Sequence, residues 1–172
     1  DASLVLASSN LPYELQSMWE GSPERNDYWL VDLITGAPQK IKENYRARIR
    51  PSPAGKYLYW YHSIDSSWYT YDIAGGNEYR LTTSKTLPCY NELNDEPNPA
   101  QPYPPAGWIK DDKAFLVSDR YDIWSLDPEA RNPPLNITAS GRNSQVTYRL
   151  MDLDYENDFI DPLAIQYLSG FN

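Results

Sequence analysis

Cysteine is nearly absent from this chain. Its one thiol, Cys89, excludes an internal disulfide framework and any metal site built from several cysteines. Histidine is as scarce, so His62 has no second imidazole to share a metal with and no evident nucleophile to activate. Basic side chains are outnumbered, 15 Lys+Arg against 24 Asp+Glu, and the formal net charge of −9 argues against duplex DNA or an anionic membrane as the main partner. No apolar run approaches the ~18–20 residues of a membrane-spanning helix. The opening stretch Ala2 to Ala7 is too short for a signal-peptide core and lacks a basic flank. Long amphipathic helices are missing too: the best candidate, Leu11 to Glu20, starts beside Pro12 and stops at Gly21, which leaves two turns at most.

What is abundant is aromatic. The 172 residues include 6 Trp, 15 Tyr and 3 Phe, and Pro (15) outnumbers Gly (8). A disordered chain is poor in aromatics, so this composition belongs to a folded, turn-rich chain. Short runs of aromatic and branched residues recur: Leu4 to Leu6, Tyr28 to Val31, Tyr57 to Tyr61, Trp68 to Tyr71, Ala114 to Val117 and Ile123 to Leu126. Each is closed by Asp, Asn, Ser, Gly or Pro, which is how strands are punctuated. The expected class is all-β.

Three segments share one grammar. An aromatic strand ends in Asp32, Asp72 or Asp127, a turn follows, and a short strand closes on Ile41, Leu81 or Ile137, nine, nine and ten residues beyond the Asp. The recurring Asp is expected to accept backbone donors in the turn. Arg50-Pro51-Ser52-Pro53-Ala54-Gly55-Lys56 leads into one second strand, and Trp108-Ile109-Lys110-Asp111-Asp112-Lys113 leads into another. Four antiparallel strands repeating every ~40–45 residues is the pattern of a β-propeller blade. The expected fold is a partial β-propeller of about three to four such blades, a single segment over 1–172. Blades are expected near 1–44, 45–84 and 106–140, and the start of the next at 145–172. The last would pair Val146 to Met151 with Ala164 to Leu168. Long insertions fall at 9–27 and 83–107, and the second holds six prolines between Leu87 and Pro105, which suits an ordered loop. The absent initiator Met and the open sheet flanks of so short a ring lead us to expect a piece of a longer protein.

The Ser52-Pro53-Ala54-Gly55-Lys56 turn before an aromatic strand, with Tyr71-Asp72, Gly75-Gly76 and Leu81-Thr82 after it, resembles the WD-like repeat of TolB-type propellers. It is also similar to the propeller of prolyl oligopeptidase-family serine peptidases, which include dipeptidyl peptidase IV and acylaminoacyl peptidase. Ser118 to Pro128, closing on Leu135 to Thr138, most resembles bacterial secreted members of that family. The resemblance covers Tyr28 to Thr138. It implies a non-catalytic propeller segment that gates peptide access to a hydrolase domain of the same parent chain. A periplasmic or secreted location and a peptide substrate come with it. This sequence has no Gly-x-Ser-x-Gly, so the nucleophile elbow of such a hydrolase is missing from it. The alternative is a TolB-like binding or scaffolding propeller with no enzymatic activity.

No catalytic residue, metal ligand or cofactor is expected within the chain, and neither nucleic acid nor membrane insertion is expected of it. The acidic stretch Asp152, Asp154, Glu156, Asp158 and Asp161 lacks the glycine and the closing glutamate of a calcium loop and reads as a solvent-facing strand end. In a four-stranded blade, connections alternate between faces, so both long insertions should emerge on one face, where binding groups accumulate. The candidates for a substrate or partner face are Met18, Trp19, His62, Tyr90, Tyr103 and Arg120.

Overall fold

A computed structural model describes residues 3–151, 153 and 156–172. The fold is all-β, a partial β-propeller of antiparallel sheets in which neighbours in sequence are neighbours in space. It divides into two compact units, Asp1–Pro51 and Ser52–Asn172.

The first unit holds a three-stranded sheet ordered β1 (Leu4–Ser9), β2 (Asn26–Asp32) and β3 (Pro38–Tyr45). The 9–27 insertion forms one 3-10 turn, Leu11–Tyr13, and one short helix, α1 (Glu14–Glu20), which matches the two turns its prolines and glycine allow. Polar ties hold it to the sheet. The Tyr13 hydroxyl donates to Asp27 Oδ1 at 2.7 Å, and Arg25 pairs with Glu20 at 2.6 Å. Arg46 donates to the Pro23 carbonyl at 3.1 Å and to the carbonyl of Glu20. Tyr28 and Leu30 of β2 are buried with half-buried Trp29 between them, Ala47 and Ile49 are buried on either side of exposed Arg48, and the Tyr28 hydroxyl donates to the Ala47 carbonyl at 2.5 Å.

The second sheet is ordered β4 (Arg50–Pro51), β5 (Tyr57–His62), β6 (Ser67–Asp72) and β7 (Asn77–Arg80). The third is β8 (Gly107–Trp108), β9 (Phe115–Ser118), β10 (Ile123–Leu126) and β11 (Leu135–Asn136). These two sheets are built alike at the atomic level. Leu81 N–H donates to the Trp68 carbonyl at 2.8 Å, and Thr82 Oγ1 accepts from Trp68 N–H at 2.9 Å. In the next repeat Ile137 N–H donates to the Ile123 carbonyl at 2.9 Å, and Thr138 Oγ1 accepts from Ile123 N–H at 3.1 Å. The Leu-Thr and Ile-Thr pairs that close the repeats thus extend each outer strand by one hydroxyl bond.

The repeated aspartates do what their position predicts. Asp32 accepts from the Ile34 and Thr35 amides, Asp72 from Ala74, and Asp127 from Glu129 and Asn132.

Aromatic packing joins the second and third sheets. Phe115 lies 4.8 Å from Trp108 and 5.1 Å from both Tyr59 and Trp68, ring centre to ring centre. Offset and edge-on ring pairs of this kind contribute ~0.5–1.5 kcal/mol each beyond the area they bury. Polar bonds reinforce the seam. Asp112, buried, accepts from Ser52 Oγ at 2.5 Å, the Ala54 amide at 3.0 Å and the Lys56 amide at 3.1 Å. The turn that opens one repeat therefore carries the carboxylate that organises the same turn of the repeat before it. Thr70 donates to the Pro128 carbonyl, and the Tyr57 hydroxyl donates to Glu129 at 3.1 Å. Burial, with Glu129 beside it, pushes the Tyr57 phenol up to about 12.

The last sheet pairs β12 (Thr147–Met151) with β13 (Tyr167–Phe171). Its second strand begins three residues later than Ala164, where the sequence pattern places it. Asp161 is the reason: its Oδ1 accepts from Leu163 N–H at 2.9 Å and its carbonyl from Ala164 N–H at 3.2 Å, so 161–164 is a turn. Asp152 and Asp154 of the acidic stretch lie outside the described residues. Among the described residues no three His, Cys, Asp or Glu side chains come together to hold a metal ion. Nor is any helix among them long and apolar enough to cross a membrane.

Candidate ligand-binding cleft

The 83–107 insertion is ordered by its own backbone. After a turn in which Leu87 N–H bonds to the Thr83 carbonyl at 2.9 Å, Leu87 and Cys89 enter the core beside Tyr61, Trp68 and Phe115. The chain then doubles back. Tyr103 N–H donates to the Cys89 carbonyl at 3.0 Å and Asn91 N–H to the Gln101 carbonyl at 2.8 Å, while Tyr90 bridges Pro102. The prolines stiffen the returning arm without costing it ladder donors it would need.

This folded insertion forms one wall of an open cleft of about 570 Å³ within the second unit. Asn91, Leu93 and Tyr103 come from the insertion, and Arg120 and Tyr121 from the turn between β9 and β10. Thr147 and Arg149 of β12, Phe171 of β13 and Asn172 after it line the rest, with Ser144 at the end of the short helix α2 (Gly141–Ser144) and Gln145 beyond it. Its size falls in the range of ~300–1,000 Å³ typical of small-ligand sites.

Two buried aspartates fix the β9–β10 turn. Asp119 Oδ1 accepts from the Tyr121 amide at 2.7 Å and the Asp122 amide at 2.6 Å. Asp122 accepts from Thr138 Oγ1 at 2.6 Å, the Gly141 amide at 2.9 Å and the Arg142 amide at 3.1 Å. Burial alone would raise the Asp122 carboxyl, but these donors outweigh it and hold the group below the ordinary carboxylate range. Gly141 is required here: a Cβ would lie 2.8 Å from the Val146 carbonyl oxygen and 2.9 Å from that of Tyr121.

The cations of the cleft differ in how they are engaged. Arg142 bonds Glu92 at 3.0 Å and Asp119 at 3.3 Å, so two neighbouring acids share its one positive charge. Burial lowers its guanidinium, yet the two carboxylates more than restore it. Among the described residues Arg149 donates to main-chain carbonyls, those of Tyr148 at 2.7 Å, Asp119 at 3.1 Å and Arg120 at 3.3 Å, and lies 5.2 Å from the centre of the Tyr103 ring. Burial pulls its guanidinium below the ordinary arginine value. Arg120 rests 5.0 Å from the Tyr121 ring centre and forms no salt bridge among the described residues. The lining therefore carries two guanidiniums and no carboxylate side chain, in a chain of net charge −9.

Of the residues singled out by sequence, Tyr103 and Arg120 line this cleft together. Tyr90 packs against the core beneath the insertion instead. His62 sits in the β5–β6 hairpin with Nδ1 3.1 Å from Asp65 Oδ1, away from the lining. Met18 and Trp19 belong to α1 of the first unit, where they are 78% and 89% exposed. Arg149, Tyr121 and Phe171 were not singled out. The available signal for Arg149 was a basic residue at the centre of the strand that opens the last sheet.

No protein-family model matches the sequence, and no curated protein does. Among solved structures, TolB from Acinetobacter baumannii is similar with a TM-score of 0.40 and 14% identity. The match covers 77% of this chain and 33% of that one, so the chain spans about a third of the length of that structure. The propeller assignment rests on the sheets themselves, with their shared strand order and their repeated Asp and Thr contacts.

Proposed function

We propose that this chain is a binding or scaffolding propeller segment whose recognition surface is the cleft beside the 83–107 insertion. The observation that carries this reading is the make-up of the lining. Guanidinium forks, phenol rings and amides recognise ligands. The carboxylates, imidazole and thiols that move protons or attack substrates are not among the lining residues. Asp119 and Asp122 lock the turn that presents Arg120 and Tyr121, which supplies the rigidity a preformed site needs.

The gating role on a peptidase hydrolase domain, with its periplasmic or secreted setting, draws no support from the comparisons. The binding reading stands without it. Peptide selection against the protein tests that reading. Selected peptides are expected to lose at least about tenfold in affinity on Tyr103→Ala, and to be unaffected by Ile34→Ala on the exposed β2–β3 turn. Selected peptides that ignore Tyr103→Ala would overturn it.

A further inference from the structure

We infer that the cleft takes an acidic peptide segment, with a carboxylate side chain seated on Arg120 and Arg149 and an apolar side chain against Tyr103, Tyr121 and Phe171. The inference rests on the reading of the cleft as a recognition surface and gives that surface a ligand class.

Charge complementarity is the first ground. In a chain with 24 acidic and 15 basic residues, the side chains of the cleft lining include two guanidiniums and no acid. The two acids nearest the guanidiniums, Glu92 and Asp119, form their salt bridges with Arg142 and leave Arg120 to a ligand. Arg120 has no carboxylate partner of its own among the described residues, and a ligand's carboxylate would supply one.

Preorganisation is the second. Arg149 is held by three carbonyl oxygens and the face of Tyr103, and Arg120 by the face of Tyr121. A guanidinium fork loses little freedom when it meets a planar carboxylate, and stacking on Tyr121 leaves the edge donors of Arg120 available, while Arg149 contributes a fixed positive charge beside them. Exposed Phe171 and Leu93 supply apolar area beside the charge. A cleft open to solvent and about 570 Å³ in volume suits a few residues of an extended chain.

The test compares acetyl-Glu-Phe-Glu-amide with its isosteric Gln-Phe-Gln counterpart by calorimetry on the intact protein, at low and high salt. The Glu peptide is expected to bind at least about tenfold tighter at low salt, and to lose that margin as salt is raised. Arg120→Gln should weaken the Glu peptide about fivefold and leave the Gln peptide unchanged. The Arg120 side chain donates no hydrogen bond among the described residues, so an unchanged melting temperature verifies that the variant is intact. Equal binding of the two peptides, or a Glu peptide indifferent to Arg120→Gln, overturns the inference. If both bind equally and Tyr103→Ala abolishes both, the acidic preference fails while the recognition surface survives. If neither peptide binds, the acidic assignment falls, and the peptide selection still decides the surface. Complete displacement of the Glu peptide by millimolar inorganic phosphate would make this a simple oxyanion site and overturn the peptide assignment.

Discussion

At the scale of single residues, aspartate does most of the organising. Asp122 is depressed in the folded state because a hydroxyl and two amides donate to it. A group whose folded pKa lies below its unfolded one contributes its full stability above the unfolded value, and loses it as pH falls through the folded value. Asp32 and Asp127 are lowered too; turn amides bond to Asp32, while for Asp127 burial opposes and its turn donors prevail. The melting temperature is therefore expected to hold steady at neutral pH and to fall below about pH 4. Asp122→Asn should melt lower at pH 7 and show a flatter acid limb in a calorimetric series. The turn role of Asp32, Asp72 and Asp127 was legible because their partners lie two to five residues away. That of Asp112, Asp119 and Asp122 was not. The donors to Asp112 sit 56 to 60 residues back in the preceding repeat, those to Asp122 lie 16 to 20 residues on, and Asp119 joins its turn amides to Arg142, 23 residues away, so local spacing does not name these sets.

At the scale of elements, the seam between the second and third sheets tests how repeats cohere. Asp112→Asn keeps the size of the side chain but turns one acceptor into a donor facing Ser52 and the Lys56 amide. The loss is expected to be about 2 kcal/mol, or roughly 4–8 °C in melting temperature, read by thermal unfolding. A change within 1 °C would mean that the ring cluster around Phe115 carries the seam alone. The strands themselves were readable from aromatic runs, because a central strand must fill both neighbours' grooves with large side chains. The start of β13 was not, since Ala164 and Ile165 look like strand while the turn that Asp161 anchors takes in Ala164 and delays the strand to Tyr167.

At the scale of the whole chain, a period of about forty residues announced the propeller, whereas the cleft stayed hidden. Repetition is a one-dimensional property that a sequence displays directly. A cleft is a convergence: Tyr103, Arg120, Arg149 and Phe171 meet only after an insertion, a hairpin and a final strand have been placed. The second unit also encloses the chain's one thiol. Cys89 has no exposed surface, and burial raises its pKa well above the ordinary thiol value. An aromatic disulfide reagent is expected to label native protein at least about a thousandfold more slowly than protein in denaturant, as followed by absorbance. Labelling within minutes under native conditions would contradict the packing around Leu87 and Trp68.

That enclosed sulfur has a use beyond reporting on packing. Each molecule possesses a single site that can be marked only while its interior is open, and the mark stays after the interior closes. In a mixture held for days with a mild thiol reagent, the fraction of marked chains weighed by mass spectrometry is a diary of how often the interior has come apart. Substitutions in the cleft or at the seam can then be ranked by the openings they cause, without any ligand or activity in hand.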